Sequence, residues 1–181
     1  MAKSMLNKWK YGKVGQVCYS DPKQESYKKA AKFLGGEVED WGCGTGWAKK
    51  YFKNYKGIDG SPSEFVKPDE IVDIVNYTSN VNNILMREVL EYNIKWKRII
   101  DNVKKSFKKK FCLIISTPFA DETHVGAEYK SIAKGVGMIP EILFKKQDIL
   151  DMFPKTDFKL KEETIKTNHL YNQDWILYVE R

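Results

Sequence analysis

The sequence predicts an α/β fold: a doubly wound, mostly parallel sheet with helices on both faces and an antiparallel strand near one edge. Three observations point there. Short apolar runs alternate with segments of helical period from residue 21 to residue 117. One run, "KFCLIIST" at 110–117, is apolar almost without interruption, as suits a strand covered on both faces. The chain then closes on two strand-like segments, "FKLKEETIKT" and "DWILYVER", whose short link suits a hairpin.

Residues 1–20 show no clear period and are expected to form an arm or lid, with Trp9, Tyr11 and Tyr19 as its aromatics. Residues 21–34 read as a helix. Asp21 is placed to cap it, Pro22 suits the first turn and Gly35-Gly36 ends it. Its apolar stripe is Tyr27, Ala30, Ala31 and Leu34. A strand at Val38–Trp41 follows, then a turn from Gly42 to Gly46 and a brief helix, "WAKKYFKN", of barely two turns. "YKGIDG" is the second strand, "SPSEFVKPD" a turn-rich connection, and "EIVDIV" the third strand. The fourth lies within "NNILMREVLEY". "WKRIIDNVKKSF" carries Trp96, Ile99, Ile100, Val103 and Phe107 at helical spacing. Residues 118–144 are weakly periodic and read as a long irregular segment of the kind that often carries function. "KKQDILDMFP" is a short helix stopped by Pro154.

With 181 residues and 42% hydrophobic composition, the chain is expected to form a single domain, 1–181, with its own core. No apolar run approaches the roughly 18 residues of a membrane span, so no membrane partner is expected. The basic, polar start does not resemble a secretory signal. Three cysteines (Cys18, Cys43 and Cys112), widely spaced, fit free thiols in a reducing, cytoplasmic setting. The formal charge is +7. Much of it falls in "KWKRIIDNVKKSFKKK", a basic helix at 95–110 that is either a solvated face or a nucleic-acid patch. Lysine outweighs arginine there, which weakens the case for forked phosphate or base contacts.

The chemistry-bearing stretch is "EDWGCGTG", where Gly42, Gly44 and Gly46 occupy alternate positions between a strand and a helix. Such a turn exposes main-chain amides and admits a ligand close to the backbone. A dinucleotide fingerprint would place its third glycine at position 47, where Trp47 stands. No Gly-Lys-Ser/Thr follows, so this is not a triphosphate loop.

"VEDWGCGTGW" resembles the glycine motif of the class I S-adenosylmethionine-dependent methyltransferases, and "GIDGSPS" resembles their second motif. "IVDIVNYTSNVNNILMREVLEYN" is similar to their next two segments. The resemblance is specific over residues 38–93. It implies a seven-stranded sheet with an antiparallel strand in its C-terminal hairpin, with S-adenosylmethionine as donor and S-adenosylhomocysteine as product. It further implies that main chain at Gly42, Cys43, Gly44 and Gly46 receives the donor's amino-acid end, helped by Asp40. Asp59, followed by Gly60, would accept from the ribose hydroxyls. Asp73 and Ile74 would face adenine, and Arg87 and Glu88 would lie under the methionine part. Glu39 departs from the family's apolar pattern and is expected to reach solvent or pair with Lys29 or Lys32.

Methyl transfer from a sulfonium depends mainly on alignment and exclusion of water, so no dense catalytic cluster is required. In "STPFADETH", His124 is the candidate general base, with Thr117, Asp121 and Glu122 nearby. Asp121, Glu122 and His124 are weighed as metal ligands and not assigned as such. Tyr129, Met138 and Phe144 either line an acceptor pocket or belong to the core. The expected acceptor is a small molecule or sugar, methylated at oxygen or nitrogen. Nucleic acid is the alternative, although no Asn/Asp-Pro-Pro-Tyr/Phe motif follows the fourth strand. A non-catalytic binding module is the second alternative.

Overall fold

The computed structural model describes residues 25–60, 67–130, 138–168 and 171–181. The arm at 1–20, Asp21 and Pro22 lie outside these residues, as does much of the connection after Gly60. The strands of the main sheet are β1 (Glu37–Trp41), β2 (Asn54–Asp59), β3 (Glu70–Ile71), β4 (Val81–Arg87), β5 (Phe107–Ile115), β8 (Lys159–Lys166) and β9 (Gln173–Glu180). Between β5 and β8 come β6 (His124–Lys130) and β7 (Met138–Leu143), an antiparallel pair of their own. The helices are α1 (Glu25–Leu34), α2 (Trp96–Ser106) and α3 (Lys146–Leu150).

The seven-stranded sheet runs β3-β2-β1-β4-β5-β9-β8. β1 to β5 pair in parallel, while β9 is antiparallel to both β5 and β8. The chain lays β2 and β3 on one side of β1, then returns to lay β4 and β5 on the other. The carboxyl ends of β1 and β4 therefore form the reversal point at which such sheets open a crevice.

Alternation along each strand sorts side chains to two faces. Val38, Leu85, Cys112, Ile114, Ile176 and Tyr178 face α1, meeting Tyr27, Ala30 and Leu34. Trp41, Ile84, Met86, Phe111, Leu113 and Leu177 face α2, meeting Ile99, Ile100 and Val103. α1 ends at Gly35, whose φ of 86° is open to glycine and whose N–H reaches the Ala31 carbonyl at 2.9 Å.

Several expectations need correction. The third strand stops at Ile71, because the Asp73 carboxylate accepts the Val75 N–H at 3.0 Å and turns the chain out of the ladder. The helix after the glycine turn is a single 3-10 segment, Trp47–Tyr51. The basic helix ends at Ser106, and Lys108–Lys110 belong to β5. The Ser106 hydroxyl donates to the Asn102 carbonyl there at 2.7 Å. The segment 118–144 is less irregular than expected, since it holds the β6–β7 hairpin. Glu39 lies on the α2 face, away from α1. It pairs across to Lys56 of β2 at 3.0 Å and accepts the Trp41 indole N–H at 3.1 Å. Lys29 instead meets Glu163 of β8 at 2.8 Å.

Candidate functional site

The glycine turn is built by β1 and β2 together. The N–H groups of Gly42 and Cys43 both reach the Ile58 carbonyl, at 2.8 and 3.1 Å, so the turn folds back over the end of β2. Gly42, Gly44 and Gly46 have φ of 79°, 52° and 69°, values that L side chains rarely adopt. Gly42 is also fixed by space, for a Cβ there would stand 2.3 Å from Val89 Cγ2. The Gly44 N–H donates to Asp59 Oδ2 at 2.9 Å. Asp59 thus ties the second strand's end to the turn.

Asp40 is buried one residue before the end of β1 and accepts the Tyr55 hydroxyl at 2.7 Å. Burial pushes its pKa up to about 7; Tyr55 and Arg87 pull it down and Asp59 adds to the rise. Cys43 is buried in the turn, and its thiol is pushed up by the same loss of solvent. Asp73 is a turn residue, and its turn is clamped to α2. Asn102 donates to the carbonyls of Ile74 and Val75 at 3.0 and 2.9 Å, and Arg98 Nε donates to Val75 at 2.9 Å.

At the end of β4 lies a charged cluster. Arg87 is 4% exposed. Its Nη2 stands 2.9 Å from Glu88 Oε1 and 3.5 Å from Asp174 Oδ2 of β9, and its guanidinium lies 4.8 Å from the Tyr27 ring centroid. Burial acts to lower the Arg87 pKa, but the facing Glu88, Tyr27 and Asp174 hold it above its ordinary value. Glu88 adopts a φ of 53°, a strained value for a residue with a side chain. The Ser116 hydroxyl lies 2.9 Å from Glu88 Oε1 and 2.7 Å from Asp174 Oδ1, with one proton to serve two carboxylates. Glu91, fully buried, accepts the Ser116 N–H at 3.0 Å, and burial raises its pKa to about 8. Among the described residues, Arg87 Nε and Nη1, Glu91 Oε2 and Thr117 Oγ1 are buried without a hydrogen-bond partner.

The structure thus sets Asp40 of β1 and Asp59 of β2 beside one turn made by Gly42, Cys43 and Gly44 with Gly46 closing it, and places Arg87 and Glu88 at the neighbouring strand end. His124 is apart from these. It opens β6, is exposed, and its Nδ1 lies 2.9 Å from the Glu122 carbonyl. The hairpin reaches the reversal point through β7, which packs on the 3-10 segment Leu90–Tyr92. Phe144 is core, edge-on to Trp96 at 5.2 Å, and Met138 is exposed. The Tyr129 side chain lies outside the described residues. No group of three His, Cys, Asp or Glu side chains placed to hold a metal occurs among the described residues, and no described helix is long and apolar enough to cross a membrane. A groove of about 610 Å³ along Glu37, Lys53, Asn54 and Asn83 lies at the amino ends of the strands, away from the reversal point.

Sequence reasoning missed Tyr27, Tyr55, Glu91, Ser116 and Asp174. Two of them carry a signal: Glu91 interrupts the apolar run "VLEY", and Asp174 opens a strand that is otherwise apolar.

No family model matches the chain, and no curated protein matches it. Solved structures do. The 1,6-didemethyltoxoflavin-N1-methyltransferase of Burkholderia thailandensis, with 1,6-didemethyltoxoflavin and S-adenosylhomocysteine bound, matches with a TM-score of 0.69 at 9% identity, over 93% of this chain and 81% of that one. The magnesium protoporphyrin IX methyltransferase of Synechocystis, with S-adenosylhomocysteine, matches at 0.60 and 15% identity, over 93% and 87%. An S-adenosylmethionine-dependent methyltransferase of Mesorhizobium loti matches at 0.59 and 10%, over 90% and 99%. At such identities the likeness is one of architecture. The chain has the fold of the class I S-adenosylmethionine-dependent methyltransferases.

Proposed function

We propose that the chain is an S-adenosylmethionine-dependent methyltransferase that moves a methyl group to oxygen or nitrogen of a small molecule or sugar, releasing S-adenosylhomocysteine. The observation that carries this reading is the Asp59–Gly44 hydrogen bond at the reversal point: a carboxylate at the end of β2 holding a turn of three left-handed glycines. The residues fit the donor. Main chain at Gly42, Cys43, Gly44 and Gly46 meets its amino-acid end beside Asp40, and Asp59, with Gly60 after it, takes the ribose. Asp73 and Ile74 border adenine, and Arg87 and Glu88 lie toward the methionine part. When bound, the donor supplies a methyl group on a good leaving group.

The chain's own work is then placement and desolvation. The Asp73 turn, clamped by Asn102 and Arg98, presents a rigid edge. His124 serves as base. Donation from Nδ1 to Glu122 leaves the Nε2 lone pair for an acceptor proton. Replacing His124 with alanine is expected to lower turnover and leave donor affinity unchanged.

A small acceptor is also supported by the compounds named for structural neighbours, 1,6-didemethyltoxoflavin and magnesium protoporphyrin IX. The basic run supports nucleic acid less once it is folded. Lys104 pairs with Asp101, Arg98 serves the Val75 carbonyl and Lys110 donates to the Phe33 carbonyl. Calorimetric titration with S-adenosylmethionine and S-adenosylhomocysteine tests the function. Saturable binding of both is expected. Absence of binding by either removes the proposal and leaves the fold as a non-catalytic module.

A further inference from the structure

Away from the glycine turn, one corner of the molecule holds a cation between two aromatic rings. Phe119, in the loop after β5, meets Trp175 of β9 edge-on, with ring centroids 5.0 Å apart and planes at 86°. Lys146 Nζ lies 5.9 Å from the Phe119 centroid and 5.7 Å from that of Trp175, within reach of cation–π attraction. Glu162 of β8 closes the corner. Its carboxylate pairs with Lys146 and accepts the Trp175 indole N–H at 2.8 Å. Burial acts to raise the Glu162 pKa, but Lys146 and Trp175 outweigh it and hold the carboxyl below its ordinary value. Beside the corner opens a cavity of about 420 Å³, whose lining includes Phe119, Asp121, Lys145, Leu150 and Glu162.

The walls are fixed and the occupant is not. The Lys145 N–H reaches Thr123 Oγ1 at 2.9 Å, the Thr123 hydroxyl donates to Asp148 at 2.6 Å, and the Ala120 N–H reaches the Phe144 carbonyl at 2.9 Å. These bonds tie the loop carrying Phe119 to the start of α3. The side chains of Lys146 and Glu162 are each 40% exposed, and an ion pair so open to solvent adds little to stability. A lysine ammonium is compact and strongly hydrated, so it gains less from ring faces than an alkylated ammonium does. With the lysine swung aside on its flexible stem, Asp121 and Glu162 outnumber Lys145 around the cavity, which then suits a cation. Trp175 pairs with Ile115, the last residue of β5, and β5 lies beside β4. The corner therefore stands at the carboxyl end of β5, two strand spacings or about 10 Å from the end of β4.

We propose that the corner of Phe119, Trp175 and Glu162 is a receptor for an organic ammonium group, filled by Lys146 until such a ligand enters. On the methyltransferase reading above, on which this second part rests, the receptor names the acceptor class: a small molecule with an ammonium group about 10 Å from the atom that is methylated.

The test titrates choline and its neutral isostere, 3,3-dimethylbutan-1-ol, into the wild-type chain and into Lys146→Ala. The indole N–H resonance of Trp175, assigned by its loss in Trp175→Phe, reports binding. Removing the occupant is expected to tighten choline binding at least about tenfold, with the isostere bound at least about tenfold more weakly than choline. Adding Glu162→Gln to Lys146→Ala should reverse most of the gain. Choline affinity in Lys146→Ala no higher than in wild type overturns the proposal, as does an isostere that binds as well as choline. Should the alanine variant not fold, Lys146→Gln removes the charge and keeps most of the stem. Saturating S-adenosylhomocysteine is expected to leave choline binding in place, and mutual exclusion of the two overturns the acceptor assignment. If choline binds as expected and S-adenosylhomocysteine does not bind, the methyltransferase reading falls and the receptor stands. If only S-adenosylhomocysteine binds, the receptor falls alone.

Discussion

The two faces of the central sheet, built from alternate residues of the same strands, are chemically opposite at the carboxyl ends. Toward α2 the side chains are apolar: Trp41, Ile58, Met86, Phe111, Leu113 and Ile115 close on Ile99, Ile100 and Val103. Toward α1 the last positions are Asp40, Asp59, Arg87 and Asp174, with Tyr27 and Tyr55 among them. Deeper on that face the strands turn apolar again, at Val38, Leu85, Cys112 and Ile176. Burying charges against a helix opposes folding unless each is paired. A fold needing only stability would place apolar residues at those four positions. The difference separates a face that holds the sheet together from a charged lip at the reversal point, the place proposed above for the donor.

The largest expected effect lies on the apolar face. Phe111 is fully buried with ring centroids 6.0 Å from Phe107 and 5.7 Å from Phe153. Phe111→Ala should lose about 3–5 kcal/mol of stability through lost transfer energy and a residual cavity. At temperatures where the variant remains folded, its donor affinity should match wild type. Denaturant titration and calorimetry together check this, and a variant that loses affinity before it loses structure would break the division between faces.

Next comes Asp59 on the polar face, with the opposite balance. Asp59→Ala removes the acceptor of the Gly44 N–H, so a loss of about 1–3 kcal/mol is expected together with at least tenfold weaker donor binding. Asp59→Asn sharpens the comparison, because an amide oxygen still serves Gly44 while the charge is gone. Its stability should stay near wild type and its donor affinity should still fall about tenfold. Equal affinity in the amide variant would reduce Asp59 to a brace for the turn.

The pH dependence should be carried by the polar face as well. Asp40 has a pKa near 7 in the fold against 3.8 for an ordinary aspartate. Between those values the folded chain binds the extra proton, so Asp40's contribution falls as pH rises from about 4 to about 7 and is level above. Glu91 acts in the same direction, up to about 8. Asp40→Asn should flatten part of this slope, read by urea unfolding at about pH 5 and about pH 7.5. A donor ammonium beside Asp40 favours its ionised form. Binding should therefore release a proton near neutrality, visible as different heats in buffers of different ionisation enthalpy, and Asp40→Asn should abolish the release.

Much of this division was legible in the residues. The apolar run of β5, the stripe of α2 from Trp96 to Val103 and the glycine turn each have one dominant period or one dominant constraint, and each appears where the pattern places it, while Phe107, read as the stripe's last member, opens β5. β3 and the end of α2 were misjudged because side chains of Asp73 and Ser106 capture nearby main-chain groups, which a periodicity count does not register. The α1 side of the site was harder still. Tyr27 looks like one more member of an apolar stripe until Arg87, sixty residues later, is laid against its ring. Asp174 and Ser116 join the charged cluster at the end of β4 because β9 enters the sheet beside β5 in reverse, a long-range pairing that local sequence does not encode.

One charged group contradicts the simple contrast. Among the buried charged side chains of β1, β2, β4 and β5, Glu39 alone faces α2. It is held by Lys56 at 3.0 Å, by the Trp41 indole at 3.1 Å, and through Lys56 by contact with Glu70 at 2.8 Å. Lys56 is 44% exposed, so most of this network is solvated and its net worth is small. Lys56→Met should cost about 1 kcal/mol, chiefly by leaving the Glu39 carboxylate without its counter-charge. Adding Glu39→Gln removes that charge while an amide oxygen still accepts from Trp41, so the double variant should return to within about 1 kcal/mol of wild type. Neither should alter donor affinity, since the pair lies on the face opposite Asp40. A double variant that folds normally but binds the donor more weakly would place Glu39 within the site's electrostatic reach, and the two faces could no longer be assigned separate tasks.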